Sequence, residues 1–159
     1  SSDLNETEVY LGKRIDDKQK FSYIKNGVTL EYAIVNDNYL ILENGTYHLT
    51  DTLDTYFKYC DVEKILSLIE KITPVSSDNS LHYVVESTDL TSIFSNTLTD
   101  LNVSKDNTID IVLENDNLKV ISLDLSNYIS SVLGSRHTLN IKMEYANIGT
   151  VDDFEIKIG

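Results

Sequence analysis

The stretch LDLSNYISSVLG (123–134) decides the fold, because it largely repeats TDLTSIFSNTL (88–98) thirty-five positions earlier. In both copies an aspartate precedes apolar residues at helical spacing, which is typical of an amphipathic helix with a polar N-terminal cap. The pattern predicts helices over 89–101 and 125–133, capped by Asp89 and Asp124, and Gly134 predicts the end of the second. The residues that are identical at this offset include Asp89/Asp124, Leu90/Leu125 and Leu98/Leu133.

A second pair of similar segments follows the two helices, TIDIVLENDNL (108–118) and TLNIKMEYANI (138–148). Both alternate apolar and polar residues, which predicts β-strands with one apolar face. The repeated unit is therefore predicted to be a strand, a capped helix and a β-hairpin. Because each helix stripe and strand face has to be buried, we interpret the repeat as scaffold, with Leu90/Leu125 and Leu98/Leu133 in equivalent buried positions.

The N-terminal part of the chain has the period of two that strands require, as in VTLEYAIV (28–35). The polar clusters KNG (25–27), NDN (36–38) and ENG (43–45) separate these strands, and Asn and Gly tolerate the positive φ of hairpin turns. A further helix is predicted over 62–73, with Asp61 as N-cap and Pro74 just beyond its end.

These patterns predict a single α+β domain over residues 1–159, with one curved, mainly antiparallel sheet and the three helices on one face. Residues 1–19 are assigned to a tether and the first strand, and residues 20–58 to a β-meander. Residues 59–159 are assigned to the first helix and the two repeat units.

Composition excludes several classes of partner. With 13 basic and 26 acidic residues, the chain has a formal net charge of −13, which opposes binding to nucleic acid and to anionic membrane surfaces. Its apolar runs are too short to predict a transmembrane span. The single cysteine, Cys60, excludes an internal disulfide. The chain is expected to be a monomer.

Candidate catalytic chemistry is scarce. His48, His82 and His137 are far apart and have no metal-ligand spacing, and no nucleophile-elbow, P-loop or dinucleotide motif occurs. Cys60 adjoins the apolar start of a helix, which favours a buried, inert thiol. The sequence therefore predicts a protein that is not an enzyme and that needs no metal or cofactor.

Two segments resemble the LolA/LppX-like superfamily of bacterial extracytoplasmic lipoproteins. In NDNYLILENGTYHLTDTLDTYFKYCDVEKILSLIEKI (36–72) the match rests on a tyrosine, an Asn-Gly pair and a second tyrosine before the helix, and in the C-terminal segments it rests on an Asp-Leu pair, a tyrosine and a glycine. The final proline of that superfamily is absent here. The matching residues are Tyr39, Asn44, Gly45 and Tyr47, followed by Asp124, Leu125, Tyr145 and Gly149.

The resemblance implies a strongly curved antiparallel sheet, an open half-barrel, with the helices packed on its concave face. It also implies an extracytoplasmic protein anchored to the cell membrane through a lipidated cysteine before Ser1, with SSDLNETE (1–8) as the tether. The space between sheet and helices would then accept a lipid or another apolar ligand.

Two functions stay open at this point: a carrier of an apolar ligand, and a ligand-free scaffold or protein-interaction domain. A gap of several hundred Å³ between the layers would favour the carrier, and a filled core would favour the scaffold. The lining of the carrier is predicted from the helix stripes and the facing strand positions, namely Tyr32, Ile34, Ile65, Ile69, Ile93, Phe94, Ile111, Ile129, Val132, Ile141 and Met143.

Overall fold

Ten β-strands and three α-helices make up the part of the chain that the computed structural model describes, residues 5–16, 18–25, 27–50, 57–99, 106–145 and 154–159. A short 3₁₀ helix, Phe57–Cys60, precedes the first α-helix. The elements are β1 (Asn5–Ile15), β2 (Lys18–Lys25), β3 (Val28–Val35), β4 (Asn38–Glu43), β5 (Thr46–Leu49), α1 (Val62–Ile69), β6 (Val75–Ser77), β7 (Ser80–Glu86), α2 (Ser87–Phe94), β8 (Asp106–Glu114), β9 (Asn117–Asp124), α3 (Ser126–Leu133) and β10 (Thr138–Glu144).

All ten strands form one sheet in the order β5-β4-β3-β2-β1-β10-β9-β8-β7-β6. β1 pairs in parallel with β10, from Asn5 opposite Thr138 to Leu11 opposite Glu144, whereas every other pairing among the described strands is antiparallel. The predicted α+β class is confirmed. The sheet is mixed, open and weakly curled, which is less curvature than an open half-barrel predicts.

Two of the three predicted turns of the meander are confirmed by residues of positive φ, and residue 26 of the remaining turn, KNG (25–27), lies outside the described residues. Asn36 and Asp37 have φ of 48° and 66° between β3 and β4, and Asn44 and Gly45 have 52° and 86° between β4 and β5. Two consecutive residues of positive φ form the tight hairpin turn whose twist matches that of the strands.

The first helix begins where the sequence predicts it and ends earlier than 73. The side chain of Asp61 accepts a hydrogen bond from the backbone N–H of Lys64, which makes it the N-cap of α1. After Ile69 the chain continues in single turns, with the N–H of Ile72 donating to the carbonyl of Ile69 at 3.0 Å. Pro74 disfavours helical backbone in the residue before it, which opposes a helix that extends to 73.

The second helix differs from the prediction in both its bounds and its N-cap residue. It spans Ser87–Phe94 instead of 89–101, and Ser95 ends it with a left-handed φ of 56°. Residues 100–101 of the predicted helix lie outside the described residues. Asp89 lies in the first turn and accepts from the N–H of Glu86 at 3.2 Å, so Glu86 occupies the cap position.

The two repeat units do not superpose as predicted. α3 begins thirty-nine residues after α2, about one helical turn out of phase with the sequence repeat. Leu90 and Leu125 are equally buried, each 1% exposed. Leu98 is only half-buried and Leu133 is 50% exposed, so their predicted burial is wrong. In the second predicted hairpin β10 is confirmed, and residues 146–148 lie outside the described part of the chain.

The main hydrophobic core joins all three helices to one face of the sheet. Ile65, Leu90 and Ile129 represent the helices in this cluster, and the sheet residues alternate along each strand. The opposite face has a smaller cluster of Ala33, Leu40 and Tyr47, against which the C-terminal Ile156 packs. The C-terminal segment also adds a backbone bridge to β5, because the N–H of Tyr47 donates to the carbonyl of Lys157 at 2.6 Å.

Candidate functional site

The eleven residues predicted to line a ligand space lie together in the main core. Nine of them are buried, and Ile93 and Val132 are partly buried against the others. Aromatic packing extends this core, since the rings of Tyr59 and Phe94 meet edge to face with centroids 4.8 Å apart. The predicted set therefore consists mainly of packing residues, and its role in ligand binding stays a prediction.

An open groove of about 530 Å³, which we call the apolar groove, lies beside this core between α1 and strands β7 to β9. Of the predicted set, Ile69 and Ile111 line it. Its volume is within the range of small-molecule sites, roughly 300–1,000 Å³. The apolar wall consists of Leu66, Ile69, Leu81, Tyr83, Ile111, Leu113, Leu118 and Tyr145, and the remaining lining residues are Gly12, Lys13, Arg14, Glu70, Asp116 and Asn117.

A bulge in the β8–β9 hairpin places Leu118 in this wall. The register shifts between Val112 and Leu113, so that Leu113 pairs with Leu118 and Lys119 of β9 has no opposite residue on β8. A bulge redirects side chains relative to regular alternation. Leu118 thereby lines the apolar groove, whereas Lys119 lines a groove on the opposite face.

A buried polar cluster fixes the start of α1, whose last turns form the other wall. Asp61 is 1% exposed. The hydroxyl of Tyr39 donates to Asp61 Oδ2 at 3.3 Å, and Lys64 Nζ donates to the Tyr39 hydroxyl at 3.0 Å. Burial raises the pKa of the Asp61 carboxyl, against the opposing effect of its contacts with Lys64 and Tyr39. Burial also raises the pKa of Tyr39.

An ion pair between Arg14 and Glu63 connects β1 to α1 at the edge of the apolar groove. Both side chains are partly exposed, so this pair contributes little to stability. Its effect is to hold the helix start close to the strand.

Tyr145 lies at the end of the apolar groove, just after β10. Its hydroxyl donates to the sulfur of Met143 at 3.6 Å, and its backbone N–H donates to the carbonyl of Lys119 at 2.7 Å. Gly12 lies nearby on β1, where a Cβ atom would be 2.8 Å from Phe21 Cδ1. The close approach of the two strands at this point therefore requires glycine.

Raising the pH above 10 is expected to destabilise the fold through Tyr145 and Tyr128. Burial raises the pKa of both hydroxyls above the usual 10.0. The folded state therefore holds these protons more tightly than the unfolded chain, and the resulting stabilisation is complete below pH 10.0 and lost above it. The free energy of unfolding, measured in urea between about pH 9 and about pH 11, should decrease less steeply with pH for Tyr145→Phe than for the wild type. Equal slopes would contradict this expectation.

A second groove of about 740 Å³, which we call the lysine groove, lies on the face of the sheet opposite the helices. The side chains that face it alternate with the buried ones along β10, where Lys142 and Glu144 flank the buried Met143. Gly12, Lys13 and Tyr145 line both grooves. The residues that line the lysine groove alone are Leu11, Lys20, Phe21, Ser22, Glu31, Tyr47, Lys119, Val120, Lys142 and Glu144.

The three histidines lie apart, as the sequence indicates. His82 Nδ1 is 2.5 Å from Asp110 Oδ1, His48 contacts the Thr46 hydroxyl, and His137 contacts its own turn. Within the described ranges, no group of three or more metal-ligating side chains occurs. Cys60 is buried, as predicted.

The sequence analysis did not identify most of the residues that line the apolar groove. Leu81, Tyr83 and Leu113 have the alternation of strand residues, which marks a buried face but does not distinguish a groove wall from core. The position of Leu118 in the groove wall depends on the bulge, and a bulge leaves no signal in a single sequence.

Comparisons with known proteins found no match: no family model, no curated protein and no solved structure is similar to this chain. None of the described helices has the length and hydrophobicity needed to cross a membrane.

Proposed function

We propose that this chain binds a lipid or another apolar ligand in the apolar groove, as a carrier and not as an enzyme. The observation that supports the proposal is the groove itself, about 530 Å³ of open space next to a packed core and walled by eight apolar side chains. Close-packed interiors leave few voids larger than a water molecule. An open space of this size and composition is the usual form of a ligand site.

The proposal includes the finer expectations of the resemblance. In it, the helices lie on the concave face of the weakly curled sheet, and the protein is extracytoplasmic and anchored to the cell membrane by a lipid. A ligand chain would lie between α1 and the β7–β9 wall, where Leu66 and Leu118 face it from opposite sides. Binding would remove apolar surface from water on both partners, which is the driving force.

A titration with a fluorescent fatty acid tests the proposal. The wild type should bind the probe saturably, and Leu118→Trp, which fills the groove, should weaken binding by about tenfold or more, about 1.4 kcal/mol. Leu133→Trp adds the same ring at an exposed position away from the groove and should bind like the wild type.

A wild type that binds nothing, with Leu118→Trp altering only stability, would exclude the carrier. The ligand-free scaffold or interaction domain would then be the better interpretation, because the packed set around Ile65, Leu90 and Ile129 needs no ligand to fill it.

A further inference from the structure

The lysine groove concentrates positive charge in an acidic protein. Four lysines line it against two carboxylates, although the chain as a whole carries a formal charge of −13. The lysines are Lys13, Lys20, Lys119 and Lys142, and the carboxylates are those of Glu31 and Glu144.

Two of these lysines form no ion pair with any other residue that the structure describes. Lys13 and Lys20 lie directly opposite each other on β1 and β2, a position in which like charges repel. Among the described residues neither takes part in an ion pair, and Lys20 Nζ lies 6.0 Å from the centre of the Tyr47 ring. By contrast, Lys142 pairs with Glu144 at 2.9 Å. The Lys13–Lys20 pair is therefore a place where an anion would relieve repulsion.

The two grooves meet where β1 leaves β10. The parallel pairing ends at Leu11 opposite Glu144, and from Gly12 onward β1 pairs, within the described residues, only with β2. Gly12, Lys13 and Tyr145 line both grooves at this point. The apolar groove on one face thus adjoins the lysine groove on the other, with these three residues in both linings.

We propose that the ligand is a single-chain amphiphile with an anionic headgroup, a carboxylate or a phosphate monoester. Its hydrocarbon chain lies in the apolar groove, and its headgroup binds Lys13 and Lys20 beside Gly12, where the linings of the two grooves coincide. This inference rests on the proposed function, since it adds a headgroup site to the same ligand. Charge-assisted hydrogen bonds from two lysines supply the selectivity for an anion.

Calorimetric titration with palmitate, hexadecyl phosphate and hexadecanol, which share one chain and differ in headgroup, tests the inference. We expect the wild type to bind an anionic ligand about tenfold more tightly than hexadecanol, and added salt to reduce the difference. Lys13→Gln/Lys20→Gln should remove this preference and leave hexadecanol binding unchanged. Lys71→Gln/Arg136→Gln removes the same charge from exposed positions outside both grooves and should retain the preference.

Each outcome decides between the two proposals. Equal binding of palmitate, hexadecyl phosphate and hexadecanol, unaffected by the lysine changes, would overturn the headgroup site and leave the apolar groove in place. Binding of none of the three would overturn the proposed function as well. A preference for only one of the two anions supports the inference and identifies the headgroup. Hexadecanol binding by the double lysine variant is the check that it has folded.

Discussion

Replacing Leu125 with alanine is expected to lower the free energy of unfolding by about 2–5 kcal/mol. Leu125 is 1% exposed and belongs to the main core, at the junction between β9 and α3. Truncation removes buried methyl groups and leaves a cavity between the helix start and the sheet, and the backbone there has little freedom to close it. The N–H of Leu125 is held by the carbonyl of Leu139 at 3.0 Å, which keeps the junction in place.

Leu133→Ala is the matched control. It makes the same chemical change at the end of the same helix, but Leu133 is 50% exposed, so its loss should alter stability by about 0.5 kcal/mol or less. Equilibrium unfolding in urea measures both. Similar losses at the two positions would show that the burial of α3 differs from the arrangement described above.

The second large effect is expected at Asn107, where alanine should lower stability by about 1–3 kcal/mol. Asn107 is 1% exposed and connects both repeat units. Its Oδ1 accepts from the N–H of Tyr128, in the first turn of α3, at 2.8 Å, and its Nδ2 donates to the Ser87 hydroxyl at the start of α2 at 3.1 Å. Alanine leaves the Tyr128 N–H buried without an acceptor.

Asn127→Ala provides the comparison for Asn107. Asn127 lies beside Tyr128 and donates a single hydrogen bond to the carbonyl of Asp106 from a more exposed position. Water can replace that partner, so its removal should alter stability by only about 0.5 kcal/mol. A smaller loss for Asn107→Ala than for Asn127→Ala, in the same urea experiment, would refute the bridging role.

Local structure was predictable where a few adjacent residues determine it. Asn36-Asp37 and Asn44-Gly45 specify hairpin turns because these residue types tolerate positive φ, and Asp61 specifies a helix start because its carboxylate caps the first turn. Each of these signals depends on chemistry within four residues, so a single sequence contains it.

Long-range features were not predictable in the same way. Nothing near residues 5–11 indicates that they pair with 138–144, because parallel pairing has no turn signal of its own. The predicted start of α2 was wrong because it too depends on strand pairing. Asp89 is an acceptable cap in the sequence, but β7 continues to Glu86 and the helix follows it directly. The pairing of β7 with β8 decides where the helix begins.

The candidate site could be predicted only in part from the sequence, for the same reason. Apolar periodicity correctly identified residues that turn towards the helices, including Ile69 and Ile111. Whether such a residue packs against a neighbour or borders open space depends on strand spacing and on the bulge at Leu113, which are properties of the assembled sheet. The opposition of Lys13 and Lys20 likewise becomes visible only when the register of β1 and β2 is known.

The central position of β1 determines the order in which the chain can fold during translation. Its pairing with β2 forms early, since the two strands are adjacent in the chain and β2 follows β1 directly. Its other edge waits for residues 138–144 to be synthesised, because among the described strands only β10 covers it. Unpaired strand edges are templates for association with other chains, and contacts of such large sequence separation form slowly. The nascent chain is therefore most prone to aggregate in the interval between the completion of the first meander and the arrival of β10.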